Sequence, residues 1–411
     1  MSIAVLYFAP EPKGQPQVIA KQLLQSKFKL FALSADRKGL KDRTAVYVDW
    51  VNLKDAHFEP PTTDQLRYFG RGVSSEQAAG MQHSTKGLVL AFSYGNHEAF
   101  KAIEQMSQLL SELALSTNGL IWDEDTRLLF GVEAWNKTRL YPWTDGIPLV
   151  TKFTTIHAYK NGDYVRAVSL GMSKFGLPDI VVNDFSWSLN TQMGDTINAF
   201  SQLLIEGAAV PTRGPYDIRI QSLKHEGMRT ELTKSFIDKA TGVGQLELKE
   251  APHDEGDPDN RLIELAFDRY SGKSVQERHD QFIGTIFGHH DGVLMTKHND
   301  EILEVSKKAQ AKFESFRTRF TKGLEPGEHL MVKAPFKTAD KGNEWMWVEV
   351  VTWKGGDISG LLRNDPDYIP GLHAGATVQI KQAEIFDYIR YTADGKQEGN
   401  ETGPLLEKQA R

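Results

Sequence analysis

The chain has 411 residues, 40% hydrophobic, 25% charged and 10% aromatic, which is longer than one hydrophobic core usually serves and is the composition of a folded, neither disordered nor fibrous, protein. Its net charge of −6 supplies no general field of Lys and Arg to gather phosphates, so no nucleic acid partner is expected. With no cysteine in the chain, disulfides, thiolate metal sites and cysteine nucleophiles are excluded.

Ile3 to Ala9 is a short apolar run closed by Pro10 and Pro12, the pattern of a buried strand. No basic region precedes it, and no stretch nears the ~20 apolar residues of a membrane span, so a cytoplasmic protein without a membrane partner is expected. Pro16 stands at a helix start, and Val18, Ile19, Leu23 and Leu24 follow with helical spacing. Ala45 to Val51 and Gly87 to Ser93 read as strands. Phe100, Ile103, Met106, Leu110 and Leu113 then mark one face of a helix that Asn118-Gly119 stops. Trp122 to Arg127, WDEDTR, reads as a hairpin turn with its charges outward, and acid-base use of its paired acids is the alternative. Strand, helix and strand in this order predict a mixed sheet with helices packed on it, an α/β-type lobe over residues 1–150.

Residues 151–298 read as a second α/β lobe, consistent with two related lobes. Val165 to Met172 is a strand, Gly176-Leu177-Pro178 a break, and Met193 to Glu206 a helix, with further strands around Asp217 to Leu223 and Gly244 to Leu248. Pro252 to Asn260, PHDEGDPDN, is the clearest loop, and a solvated one is expected because its acids miss the calcium-loop pattern. Arg261 to Phe267 and Ser274 to Ile286 read as helices. Ile302, Val305, Ala309, Phe313, Phe316 and Phe320 step along one helix leading into the third domain, 299–411.

Beyond Pro326-Gly327 the period changes to two. HLMVKAPF, EWMWVEVVTW, ISGLL, ATVQIKQ and IFDYIRY are separated by Gly, Asn, Asp or Pro, which predicts a small, β-rich, barrel-like module. The chain as a whole is therefore expected to be α+β.

Glu344, Trp347-Val348, Gly360-Leu361-Leu362-Arg363-Asn364-Asp365-Pro366, Leu372, Gly375, Val378 and Asp387, followed by Gly395, Gly399 and Thr402, resemble the bacterial family named domain of unknown function 2314 over about the last 110 residues. Three positions depart from the family pattern: Trp345 stands where a smaller polar residue is usual, Ala376 where an Asp is, and Tyr388 where a Trp is. The resemblance implies a compact α+β module and no activity. STKGLVLAFSYGNHEAFKAIEQ, GLIWDEDTRLLF and SLGMSKFGLPDI are similar to a second bacterial family, domain of unknown function 4261.

Strict alternation along 344–353 puts Trp345, Trp347, Glu349, Val351 and Trp353 on one strand face. Aromatics flanking a carboxylate suit a cationic or planar ligand, whereas the bland reading makes this a central strand with its tryptophans under the preceding helix. Glu349 discriminates, since a carboxylate is almost never buried unpaired. Asn364 in its turn and Asp387 near a strand start are candidate binding groups whose bland reading is backbone capping. His289, His290 and Asp291 in FGHHDG are the only histidine cluster and the candidate catalytic set. They lack the i, i+4 spacing and second motif that metal sites carry, so no metal and no cofactor is expected. The G-x-x-x-x-G-K-[ST], G-x-G-x-x-G and G-x-S-x-G patterns are also missing. With no complete catalytic constellation, a non-enzymatic binding or protein-interaction module, immunity- or adaptor-like by analogy, is expected to engage a protein partner or small ligand. The alternative is a hydrolase-like enzyme using His289, His290 and Asp291 with a divalent metal.

Overall fold

The computed structural model describes residues 1–9, 12–141, 143, 146–161, 164–237, 239–288, 300–338, 342–366, 368–393, 396–403 and 405. The fold is α+β, in two compact units: Met1–Phe185 with Thr191–His289, and Ser186–Asn190 with His290–Arg411. Among the described residues no helix is long and apolar enough to cross a membrane.

The first unit opens with β1 (Ser2–Phe8), α1 (Pro16–Ser26), β2 (Ala32–Ser34), β3 (Ala45–Asn52), α2 (Thr63–Phe69), β4 (Gly70–Arg71), α3 (Ser75–Met81), β5 (Lys86–Ser93), α4 (Ala99–Thr117), β6 (Gly119–Asp123), β7 (Leu128–Phe130) and α5 (Val132–Arg139). Pro16 starts α1 because its fixed φ suits a first helical turn and its missing N–H is not needed there. Thr62 with Gln65 and Ser74 with Gln77 form capping boxes for α2 and α3. Asn118 ends α4 in the left-handed conformation. The strands form one mixed sheet in the order β2-β3-β5-β1-β6-β7-β4. Alternation in β1 supplies both faces. Ala4, Leu6 and Phe8 join residues of α1, α4 and α5 in one core layer, and Val5 and Tyr7 meet α2 and α3 in the other. Each fully buried Leu or Phe contributes roughly 1.5–3 kcal/mol to such layers.

A second mixed sheet follows from β8 (Thr155–Asn161), β9 (Tyr164–Leu170), β10 (Asp179–Phe185), β11 (Gly214–Arg219), β12 (Val243–Glu250) and β13 (Leu262–Ala266), in the order β11-β12-β13-β10-β9-β8. Its helices are α6 (Asn190–Ile205), α7 (Glu226–Thr233) and α8 (Val275–Ile286). The helix expected at 261–267 is a strand, β13. Leu, Glu and Ala favour a helix locally, but pairing on both sides, parallel to β10 and antiparallel to β12, overrides that preference. The strand expected near Asp217 ends at Arg219 and turns at Ile220–Ser222. The 252–260 loop is not wholly solvated: the Asp257 side chain is buried against Arg166, 2.5 Å away.

The second unit carries α9 (Asp300–Ser315), α10 (Arg317–Lys322), β14 (His329–Lys337), β15 (Asn343–Lys354), β16 (Asp357–Leu362), β17 (Thr377–Lys381), β18 (Asp387–Tyr391) and β19 (Gln397–Gly399). The single helix expected over 302–320 breaks at Phe316 into α9 and α10. The barrel-like module is an open, wholly antiparallel sheet in the order β17-β16-β15-β14-β18-β19. Leu330, Val332, Ala334, Met346, Val348, Val350, Ile358 and Leu362 turn one sheet face onto Ala309 and Phe313, with Phe316 and Phe320 packed at the rim.

Candidate functional site

The opposite face of this sheet carries most of the residues singled out in 344–353, with one correction. Strict alternation fails at a β-bulge between Val350 and Thr352, where the pairing of β15 with β16 shifts register. A bulge places two successive residues on the outer side, and Val351 and Thr352 are both exposed. Trp353 is thereby turned into the core, 6% exposed, its ring stacked 4.4 Å from that of Phe313. It cannot belong to an outward aromatic cage.

Trp345, Trp347 and Glu349 do face outward together, each half-buried. The Trp345 ring packs on Phe386 at 4.5 Å, beside Ile302 and Leu405. Register aligns a row across neighbouring segments of the sheet: Asp387 opposite Lys333, Lys333 opposite Trp347, and Arg363 beyond, its N–H donating to the Trp347 carbonyl at 2.8 Å. The Lys333 ammonium lies 5.7 Å from the centre of the Trp347 ring. Glu349 is no unpaired carboxylate, since it stands 3.3 Å from Arg363 and 3.7 Å from His329. Arg363 also lies 5.0 Å over the ring of Trp187, which belongs to this unit. Burial pushes the Lys333 ammonium below the usual lysine range, and the Asp387 carboxylate only partly offsets it. Among the described residues no hydrogen-bond acceptor for that ammonium is present, and the position a cation would take in an aromatic cage is filled by the chain's own lysine.

The remaining motif residues serve the backbone. Asn364 accepts the Trp347 N–H at 2.8 Å. Glu344 accepts from the Tyr368 N–H at 3.2 Å, and Asp365 from the Ala374 N–H at 2.8 Å. Asp387 is buried and accepts from the Thr402 N–H at 2.8 Å, the Thr402 hydroxyl at 2.6 Å and the Tyr388 N–H at 2.8 Å, so it ties the backbone at Thr402 to the sheet. Gly360 lies across from the bulge, where a Cβ would run into the carbonyl oxygen of Glu349. His289, His290 and Asp291 lie outside the described residues. Among the described residues no group of three or more His, Asp or Glu is placed to hold a metal ion.

The first unit contains a polar cluster that the sequence reading placed outside. The WDEDTR charges were expected to point outward, but Asp123 is 3% exposed and sits 2.7 Å from Lys174 and 2.8 Å from Arg139, two cations that are each buried as well. Arg139 NH2 also donates to Thr126 Oγ1 at 3.3 Å, and its guanidinium lies 4.7 Å over the Phe130 ring. Burial alone would raise Asp123, but Lys174 and Arg139 outweigh it and lower the carboxyl to about 2. Asp125 behaves oppositely. Burial raises it to about 7 against the pull of Lys174, with Asp123 adding to the rise, and one carboxylate oxygen is buried without a hydrogen-bond partner among the described residues. Tyr94, 3.0 Å from the Ser2 hydroxyl, is likewise held protonated by burial. The cleft described in this unit, about 460 Å³, is lined elsewhere by Tyr141, Trp143, His225, Glu226, Glu231 and Lys234 among others. The only local hint of the buried cluster is two acids two residues apart beside Trp122; the cations that meet them are remote in sequence.

No curated protein and no solved structure matches the chain. Residues 299–409 match the family model described as "Uncharacterized protein conserved in bacteria (DUF2314)", a stretch within the second unit that holds α9, α10 and the whole open sheet.

Proposed function

We propose that the chain is a non-enzymatic binding or protein-interaction module that works through the outward face of the second unit's sheet. One observation carries this reading: Lys333 and Trp347 stand on that face without the backbone-tying duties that occupy Asn364, Asp365 and Asp387. A side chain that stabilises no turn and fills no core, yet is held in a fixed register, is available to a ligand. Tryptophan is among the residues that dominate the energetics of interfaces. The test is affinity capture from bacterial lysate with the full chain as bait, beside a Trp347→Ala bait. A stoichiometric partner recovered by the wild type and lost by the variant supports the reading. Identical recovery by both baits excludes this face.

A further inference from the structure

We propose that the outward face recognises a carboxylate of an acidic protein segment, which the Lys333 ammonium binds while the neighbouring part of the segment lies on the Trp347 ring. This rests on the binding reading above and names its ligand chemistry. The argument is one of charge and satisfaction. Three basic side chains stand nearest Trp347 on the face, His329, Lys333 and Arg363, while Lys337 lies at the exposed end of β14 and Lys381 is paired with Asp357. Glu349 already serves Arg363 at 3.3 Å and His329 at 3.7 Å, and the Trp187 ring covers the Arg363 guanidinium at 5.0 Å. Lys333 is left with the Trp347 ring at 5.7 Å and the field of Asp387, whose carboxylate is consumed by Thr402 and Tyr388. An ammonium has three donors, and this half-buried one has no acceptor among the described residues, so an incoming anion supplies it with a charge-assisted partner. Such a charge-assisted bond is worth more than a neutral one and more again when partly desolvated.

The same count selects a carboxylate over a phosphate. A phosphate monoester brings nearly two negative charges and three acceptor oxygens, and it is met by clusters of Arg or by helix N-termini. Beside Trp347 the cation without an ion-pair partner is Lys333, flanked by Glu349 and Asp387, with Lys337 four residues further along β14, so a second negative charge at this point would meet repulsion. A single carboxylate balances a single ammonium. The half-buried Trp347 ring adds a flat surface for an apolar or aromatic neighbour of that carboxylate.

The test is calorimetric titration of the full chain with a capped pentaglutamate peptide, its pentaglutamine analogue and a capped phosphoserine peptide. The expected result is saturable binding of pentaglutamate, at least tenfold tighter than of pentaglutamine and weakened by salt. Lys333→Met, which keeps the apolar stem, is expected to lose at least tenfold in affinity, and Lys333→Arg to retain most of it. Absence of pentaglutamate binding up to millimolar peptide, equal affinity for the glutamine analogue, or preference for phosphoserine overturns the proposal. Because the comparison of peptides on the wild type decides it, a poorly folding Lys333→Met does not. Failure of the chemistry stays distinct from failure of the binding reading: a partner captured by the wild type and by Lys333→Met, but not by Trp347→Ala, leaves the face intact and removes only the carboxylate.

Discussion

At the scale of single residues, the two acids of WDEDTR have opposite relations to pH. An unfolded Asp ionises near ~3.9. Asp123 is held below that, at about 2, so its contribution to stability is present above pH ~4 and is lost as the pH falls toward about 2. Asp125 is raised to about 7, so the fold favours its protonated form. Its contribution is complete below pH ~4 and is lost as the pH rises through about 7. Asp123→Asn at pH 7 leaves Lys174 and Arg139 buried without their counter-ion and is expected to cost about 3–5 kcal/mol in urea unfolding, less at pH 3. Asp125→Asn is expected to do the reverse, melting above the wild type at pH 8 with the gap narrowing as the pH falls and closing at pH ~4. A wild-type advantage at pH 8 would refute the buried placement of that carboxyl. None of this was legible locally, because Lys174 stands 51 residues from Asp123 in the chain and no periodicity links them.

At the scale of elements, a single bulge separates two tryptophans that alternation had placed together. Trp353→Ala removes a ring stacked on Phe313 and is expected to cost about 3–5 kcal/mol. Trp347→Ala removes a half-buried outward ring and is expected to cost about 1 kcal/mol while abolishing partner capture. Similar losses for both in denaturant unfolding would mean that β15 has no register shift. The strand itself was readable from its period of two, as were α1 from Pro16 and the end of α4 from Asn118. The bulge was not, since it depends on how β16 pairs across it and on Gly360 leaving room for the Glu349 carbonyl oxygen. β13 was misread for a related reason: Leu262 to Ala266 is helix-prone alone and becomes a strand only because β10 and β12 bond to both its edges. Asn364 and Asp387 were legible as capping groups, because short polar side chains in turns bond nearby backbone.

At the scale of the whole molecule, each unit has its own core, one built on two mixed sheets and the other on an antiparallel sheet under α9 and α10. Calorimetry is expected to resolve two transitions, with Asp123→Asn lowering one and Trp353→Ala lowering the other, as substitutions without shared partners act separately. A single transition moved equally by both would show one cooperative body. Composition, the absence of cysteine, the change of period from helical to alternating near Pro326 and the α+β class were determined by the sequence itself, because each follows from local propensity and the spacing of apolar residues. The tertiary structure alone decided that Asp123 meets Lys174 and Arg139, that Trp353 faces inward, and that Lys333 lies on Trp347 without an acceptor. Those outcomes rest on pairing, register and desolvation between groups distant in the chain, where contact energies outweigh local preference.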